Sequence, residues 1–328
     1  MRFCVFGVGA VGGYVLARLT QAGIAASGVA RGETLAAIRA RGIRVIGEDG
    51  VEEDPIKPVR VSADPAELGP QDVLFIAMKA HRIAGALADM APLIGPDTTV
   101  VTAVNGIPWW YFHGMQGGAR HQLDSVDPGG RLWQALGAER AVGCVVYMGA
   151  SVPRPGVVIC TQPRLVLGEP DGRSSPRLTA MVAALTAAGI ETAATPDIRT
   201  AVWKKVLGNA WANPVSVIAG ATADRICADP QLRPTLIALM AEVRAVAAAL
   251  GTVLDVNYEQ RIDESATLGV FKSSTLQDFE RGRSIEIDAI LGAVGELGRL
   301  AGVATPIVDA IYALTRLRAD IAGRYRKP

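Results

Sequence analysis

Residues 7–12 read Gly7-Val8-Gly9-Ala10-Val11-Gly12, and their flanks restrict the possible folds more than any other feature of the chain. A short apolar run, Arg2 to Phe6, precedes them and predicts a strand. A helical pattern follows from Ala10 to Gln21, with apolar side chains at Val11, Val15, Leu16 and Leu19. In this setting each glycine has a mechanical reason. Gly7 permits the tight turn, Gly9 lets backbone amides approach a pyrophosphate, and Gly12 allows the helix to pack closely on the sheet. The helix N-terminus itself favours negative charge. Glycine turns are common alone, but strand, turn, helix and a second strand over Ile24 to Ala30 together point to dinucleotide binding, with Gly7, Val8, Gly9, Ala10, Val11 and Gly12 as cofactor-contacting residues.

The residue after the second strand discriminates between dinucleotides. An acid there would accept hydrogen bonds from a ribose 2′-hydroxyl. Arg31 stands there instead, about 20 residues past the motif, where a guanidinium can pair with a 2′-phosphate. The reading is therefore NADPH rather than NADH.

A helix over about Glu33 to Arg41, stopped by Gly42, continues the alternation. Strands are predicted at Asp72 to Ala77, Thr98 to Val104 and Ala141 to Tyr147, with a helix over Ile83 to Met90 between the first two. Strands alternating with helices predict a doubly wound parallel sheet. Past about Pro196 the β-branched runs give way to long helical periodicities: Ile198 to Ala219, Pro230 to Leu250, Ser273 to Phe279, Ile285 to Ala301 and Thr305 to Ala322. The expected architecture is α/β, with a nucleotide-binding domain over 1–195 and an all-helical domain over 196–328. In the helical domain, Pro214 predicts a kink or break just after Asn213.

Composition narrows the function. The 328 residues carry 33 basic and 32 acidic side chains, a net charge of +1, which gives no electrostatic footprint for nucleic acid. Mean hydropathy is +0.27, yet no run reaches the roughly 18 apolar residues of a spanning helix, and no secretory leader is evident. Cys4, Cys144, Cys160 and Cys227 are widely spaced and fit buried, reduced thiols in a cytoplasmic setting. His81, His113 and His121 show no metal-ligand spacing, so no metal is expected.

Candidate site residues follow from the strand ends and helix faces. Lys79 and Asn105 each follow a strand, at the carboxyl edge where ligands sit in open α/β sheets. Either contacts nicotinamide ribose or substrate, or merely caps a loop. Lys205, Asn209 and Asn213 recur every four residues, a narrow polar stripe on an otherwise apolar helix, as expected of a cleft wall. Ser274 and Asp278 are also four apart; Ser274 equally suits a helix N-cap, and Glu286 suits the first turn of a helix, where a carboxylate favours the dipole. The long connection from Ile107 to Glu139 contains Trp109, Trp110, Gly117, Gly118, Pro128, Gly129 and Gly130. It reads as a surface insertion anchored by aromatic packing, or alternatively as a lid or partner-binding loop.

Taken in order, the glycine motif through Gly13, Arg31, Met78-Lys79-Ala80, Asn105-Gly106, Trp203-Lys204-Lys205 through Asn209 to Asn213-Pro214, Ser273 to Asp278, and Glu286-Ile287-Asp288 closely resemble the ketopantoate reductase family over nearly the whole chain. The resemblance implies a Rossmann-type domain followed by a helical one, and NADPH-dependent reduction of ketopantoate to pantoate, toward pantothenate and coenzyme A. It implies that Lys205 donates a proton to the carbonyl oxygen and that Glu286 orients substrate and lysine. By the same resemblance Asn209, Asn213 and Ser274 contact substrate, Asn105 and Lys79 occupy cofactor or active-site positions, and Asp278 supports them. Two departures stand out: Ala223 and Phe271 replace asparagines expected to hold substrate, and the Trp109-Trp110 connection is longer than usual. They leave room for a related dehydrogenase acting on another 2-keto or hydroxy acid. A non-catalytic NADPH-binding sensor is the rival from another class, and the apolar helices are compatible with a homodimer.

Overall fold

The computed structural model describes every residue except Pro58, residues 116–121, Leu268 and Pro328, so Gly117, Gly118 and His121 lie outside the described residues. The strands are β1 (Phe3–Phe6), β2 (Ala26–Val29), β3 (Arg44–Ile46), β4 (Arg60–Ser62), β5 (Gln71–Ile76), β6 (Ile94–Thr102), β7 (Ala141–Arg154), β8 (Val157–Gly168) and β9 (Glu191–Ala194). The helices are α1 (Ala10–Gln21), α2 (Gly32–Arg41), α3 (Ala80–Ile83), α4 (Leu87–Met90), α5 (Arg131–Leu136), α6 (Pro176–Ala187), α7 (Ile198–Ala219), α8 (Ala223–Ala228), α9 (Arg233–Ala249), α10 (Tyr258–Ala266), α11 (Ser274–Glu280), α12 (Ala293–Ala301) and α13 (Pro306–Ile321).

Two compact units result. The first comprises residues 1–104, 110–121 and 131–198; the second comprises 105–109, 122–130 and 199–328. The chain leaves the first unit for the last time after Ile198. The long connection is not a single insertion, since two of its stretches join the helical unit.

In the first unit, β1 is apolar at every position and fully buried, and it lies inside the sheet. It pairs in parallel with β2 on one side and β5 on the other, and β4, β6 and β7 extend the parallel array outward. The strand order is β3-β8-β7-β6-β5-β1-β2-β4. β8 turns back antiparallel on β7, and β3 and β9 then pair in parallel with different stretches of β8, which gives the expected parallel sheet a mixed edge. Val15, Leu16 and Leu19 of α1 and Leu178, Met181 and Leu185 of α6 share one core with Val5, Phe75, Val101 and Val142. At about 1.5–3 kcal/mol per fully buried aliphatic side chain, this core sets how rigidly α1 can be held on the sheet. Where a helix was expected over Ile83 to Met90, the chain makes the short α3 and α4 separated by a turn of 3₁₀ helix at Ala84–Ala86.

The second unit is built on helical stripes. In α9, Leu236, Leu239, Met240, Val243, Val246 and Ala247 are buried, a 3.6-residue repeat. Glu242 of the same helix accepts hydrogen bonds from the amides of Ile307 (3.0 Å) and Val308 (2.8 Å), satisfying the open N-terminus of α13. Glu296 of α12 similarly receives the amides of Asp124 and Ser125 (2.8 and 2.9 Å) and the Ser125 hydroxyl (2.6 Å), which ties the 122–130 stretch to this unit. α7 continues through Pro214, so of the expected kink or break there is no break. Its surroundings hold the helix, since Asn213, Pro214, Val215 and Ser216 are all buried.

Trp109 and Trp110 are 6% and 1% exposed, and Tyr111 and Phe112 are buried beside them. Trp110 packs so tightly on β7 that a Cβ at Gly143 would lie 2.7 Å from its ring. The tryptophans are core residues, which overturns the lid or partner-binding reading for them. No helix among the described residues is long and apolar enough to cross a membrane.

Candidate active site

The nucleotide half is made at the end of β1. Gly7 adopts φ +100°, a conformation that L side chains rarely take, and a Cβ there would meet the Ala77 carbonyl at 2.9 Å. A Cβ at Gly12 would stand 2.2 Å from the Gly7 carbonyl oxygen and 2.9 Å from Val5, so only glycine lets α1 start against the strand. Gly9 differs: nothing lies within 4 Å of its missing Cβ. It occupies the N-cap of α1, where no side chain caps the helix and no acid sits in the first turn. The exposed amides and the positive end of the dipole are therefore left to an outside anion, and the cradle at Gly9 is the space its pyrophosphate would take. The residues present fit a dinucleotide.

Arg31 is the N-cap residue of α2, directly beyond β2. Its side chain is 63% exposed and bonds Asp89 at 2.8 Å. Exposed ion pairs of this kind contribute at most about 1 kcal/mol, so a phosphate with greater charge can take over the guanidinium. The acid of that neighbourhood, Glu33, lies in the first turn of α2 and not at the strand end. Lys79 is half-buried at the N-cap of α3, beyond β5.

Asn105 does not stay with the sheet whose strand it follows; it belongs to the helical unit. Gly106, at φ +91°, lies so close to Ala289 that a Cβ would meet the Ala289 carbonyl at 2.1 Å, and the Ile107 amide donates to that carbonyl at 2.7 Å. The receiving turn, Asp288–Gly292, is π-helical, with the Gly292 amide on the Ile287 carbonyl at 3.3 Å. Such turns recur at functional sites, and this one seats Asn105 beside the Glu286-to-Asp288 segment.

On α7, Lys205 and Asn209 are half-buried and Asn213 is 4% exposed. Ser216 donates to the Asn213 carbonyl (2.9 Å) and its hydroxyl meets that of Ser273 at 2.6 Å, both buried. Ser273 in turn receives the Leu276 amide (3.1 Å) and is the N-cap of α11. The cap is thus Ser273, and Ser274 is the first residue of the helix, exposed to solvent. Asp278 is half-buried, and Arg283 stands 3.7 Å from its carboxylate.

Glu286 does not begin a helix. Residues 284–287 are in neither helix nor strand, and α12 starts only at Ala293, after the π turn. The acid in the first helical turn is Asp288, which sequence reasoning missed. Its Oδ1 accepts from Tyr312 (2.6 Å) and Tyr325 (2.9 Å). Burial raises the Asp288 carboxyl above its ordinary range, against the lowering effect of the two phenols; the Tyr325 phenol is pushed up to about 12, and Tyr312 higher still, by burial and the nearby carboxylate. The sequence signal was weak: an acid inside an apolar run, its partners 24 and 37 residues away.

Elsewhere the four cysteines are free and buried, and burial raises Cys4 and Cys227 to about 11 and Cys160 to about 12, so these three are not thiolate nucleophiles at neutral pH. No group of three or more metal-ligating side chains is found among the described residues.

A family model described as ketopantoate reductase PanE/ApbA matches residues 3–172, and that of the ketopantoate reductase PanE/ApbA C-terminal domain matches 197–319. The chain is 44% identical to a 2-dehydropantoate 2-reductase of Mesorhizobium japonicum, over 99% of this chain and 100% of that one. A crystal structure from Ralstonia solanacearum MolK2, described as a candidate ketopantoate reductase, superposes with a TM-score of 0.92 at 42% identity, covering 99% of both chains. A 2-dehydropantoate 2-reductase from Methylococcus capsulatus superposes with a TM-score of 0.83 at 29% identity, covering 98% of each.

Proposed function

The chain belongs to the ketopantoate reductase family, and on that premise we propose how its residues divide the NADPH-dependent reduction of ketopantoate to pantoate. The observation that carries the assignment of roles is the stripe on α7, where a lysine and an asparagine stay accessible on a helix whose other faces are packed.

Residues Gly7 to Gly12 present α1's amides to the pyrophosphate, Arg31 pairs with the 2′-phosphate, and Lys79 contacts the cofactor beyond β5. Bound NADPH supplies the hydride that adds to the ketone carbon. Lys205 hydrogen-bonds the ketone oxygen, stabilises the negative charge that grows there, and delivers its proton to that oxygen. A lysine suits this task because it can lose its proton where an arginine cannot. Glu286 orients the ammonium and the nascent hydroxyl. Asn209, Asn213, Ser274 and Asn105 hold the substrate, and the Ser216–Ser273 contact fixes the backbone around Asn213 and Ser274 so that their positions are set together. Asp278 has a supporting role from the second turn of α11. The four buried thiols support a reducing, cytoplasmic setting.

Ala223 and Phe271, which stand where asparagines were expected, are neighbours: the Ala223 amide donates to the Phe271 carbonyl at 2.9 Å. One spot has therefore lost both amides, which favours acceptance of a more apolar 2-keto acid as a second reading. Steady-state NADPH oxidation with ketopantoate, pyruvate and branched-chain 2-keto acids tests both. Ketopantoate is expected to give the highest kcat/KM; a branched-chain acid in that place would support the second reading, and no oxidation with any of them would support a sensor instead. Lys205→Ala is expected to lose about 10²–10⁴-fold in turnover while NADPH still binds, and unchanged turnover would remove Lys205 from the mechanism.

A further inference from the structure

We propose that Arg261 anchors the carboxylate of the 2-keto acid, an inference that rests on the reading of Lys205 as the group at the ketone oxygen. Between residues 201 and 212 the positions of α7 that escape full burial are Ala201, Lys204, Lys205, Gly208, Asn209 and Ala212. They repeat at helical spacing and form one accessible stripe. Arg261, on α10 and half-buried, extends its guanidinium onto that stripe: a Cβ at Gly208 would stand 2.7 Å from Nη2, 3.7 Å from Cζ and 3.8 Å from Nε. Glycine is unfavourable inside a helix, and here its missing side chain is the notch in which the guanidinium sits.

The guanidinium has five donors and cannot lose its charge. Among the described residues no hydrogen bond or ion pair is made to it, although the same helix carries acids. Glu259 and Asp263 turn to Arg233, the latter at 2.8 Å, and Glu264 accepts from Gln260 at 2.8 Å. A half-buried cation without a counter-charge is costly unless a ligand completes it. Lys205 and Gly208 are one helical turn apart, so an ammonium and a guanidinium share a stripe with the Asn209 amide. A 2-keto acid has the complementary layout, with its carboxylate on the carbon next to the ketone. The planar fork of arginine matches a carboxylate with two parallel bonds, and the lysine remains for the oxygen that becomes a hydroxyl.

The full-length protein tests this with two variants. Arg261→Met keeps the aliphatic packing and removes the charge. Gly208→Ala favours the helix and displaces the guanidinium. Both are expected to raise KM for a 2-keto acid about 10- to 100-fold, the loss of one or two charged hydrogen bonds, with kcat changed much less and NADPH affinity retained. For the neutral primary amide of the same acid, KM should not move. Product binding gives a readout independent of turnover: quenching of Trp203 and Trp211 fluorescence by the 2-hydroxy acid should weaken in both variants, and by its amide in neither. Equal effects on acid and amide, or none on either, would overturn the proposal. Should Lys205→Ala keep full turnover while Arg261→Met loses the preference for acid over amide, Arg261 stands and the reading of Lys205 falls.

Discussion

Gly9 and Gly12 lie three residues apart in the same turn, and alanine at each should produce opposite phenotypes. At Gly12 the new Cβ would be 2.2 Å from the Gly7 carbonyl, more than an ångström short of ordinary contact, with Val5 at 2.9 Å and the Ala77 Cβ at 3.0 Å. None of these can swing aside: one is backbone, and the others hang on the ends of β1 and β5. Helix α1 must therefore retreat from the sheet, which loosens Val15, Leu16 and Leu19 in the core. Overpacking typically costs about 1–3 kcal/mol, and a clash with backbone belongs at the upper end. At about 2–4 °C per kcal/mol for a unit of this size, the first unit should lose roughly 6–12 °C in Tm. At Gly9 the Cβ meets nothing within 4 Å, but Gly9 is the N-cap of α1, where glycine is preferred to alanine, so the apoprotein should lose only about 1 kcal/mol, well short of Gly12→Ala. The methyl group instead fills the phosphate cradle. Losing one charged hydrogen bond there, about 1.5–3 kcal/mol, weakens NADPH about 10- to 150-fold. Thermal unfolding of the apoproteins by circular dichroism and titration of NADPH fluorescence read the two effects separately. Wild-type NADPH affinity in Gly9→Ala, or wild-type Tm in Gly12→Ala, would refute the reasoning from space.

Further perturbations test other parts of the molecule. Arg31→Glu should weaken NADPH far more than NADH in competition titrations, because it removes the phosphate partner and puts a like charge beside Asp89; equal effects on both nucleotides would sink that assignment. Asp288→Asn keeps an oxygen for both tyrosines and removes a buried charge. The folded-state pKa of Asp288 is raised, so its contribution is fully present below the ordinary carboxylate pKa and is lost as pH rises through the folded value. Denaturant titrations at a series of pH values should therefore show Asp288→Asn gaining on wild type as pH rises from acid to neutral, and a gap that closes instead would contradict the burial argument.

The elements that carry the strongest periodicity were readable from the chain. α1 and α7 have the bounds that their apolar repeats predict, and β1 follows from its apolar run, because propensity and burial agree there. The mixed edge of the sheet was not readable. β8 contains Thr161, Gln162 and Arg164 amid apolar residues, and β9 is four residues with little burial; both are defined by hydrogen bonds to a neighbouring strand, which leave no periodic trace. The tryptophan pair anchors the connection by aromatic packing, as one of the two sequence readings had it, but where it packs was not readable, since Trp110 lies against Gly143 of β7, 33 residues further on. The motif residues could be put forward as a set from the chain alone, whereas the approach of Arg261 to α7 could not, since it depends on the absence of a side chain at Gly208, 53 residues earlier.

The start of α12 shows how tertiary bonding can overrule a helical pattern to serve a site. The apolar repeat beginning at Ile285 predicts a helix from there, yet the Ile285 amide donates to the Arg324 carbonyl at 2.9 Å and the Ala289 carbonyl is given to Ile107. The Ala289 carbonyl, which an ordinary helix would use internally, is spent on the Asn105-Gly106 turn, and the Ile285 amide, an open N-terminal donor in such a helix, is satisfied by the C-terminal tail. Tyr325, next to Arg324, then bonds Asp288, so Glu286 is bracketed by tail contacts one residue before it and two residues after it. A glutamate in the first turn of a helix would have its backbone set by that helix alone. In the irregular segment its neighbours are held by groups from the far end of the chain and by the turn that follows Asn105. The conformation that differs from the sequence expectation is held by bonds from Ile285 and Asp288 to the C-terminal tail and from Ile107, beyond the Asn105-Gly106 turn, to Ala289.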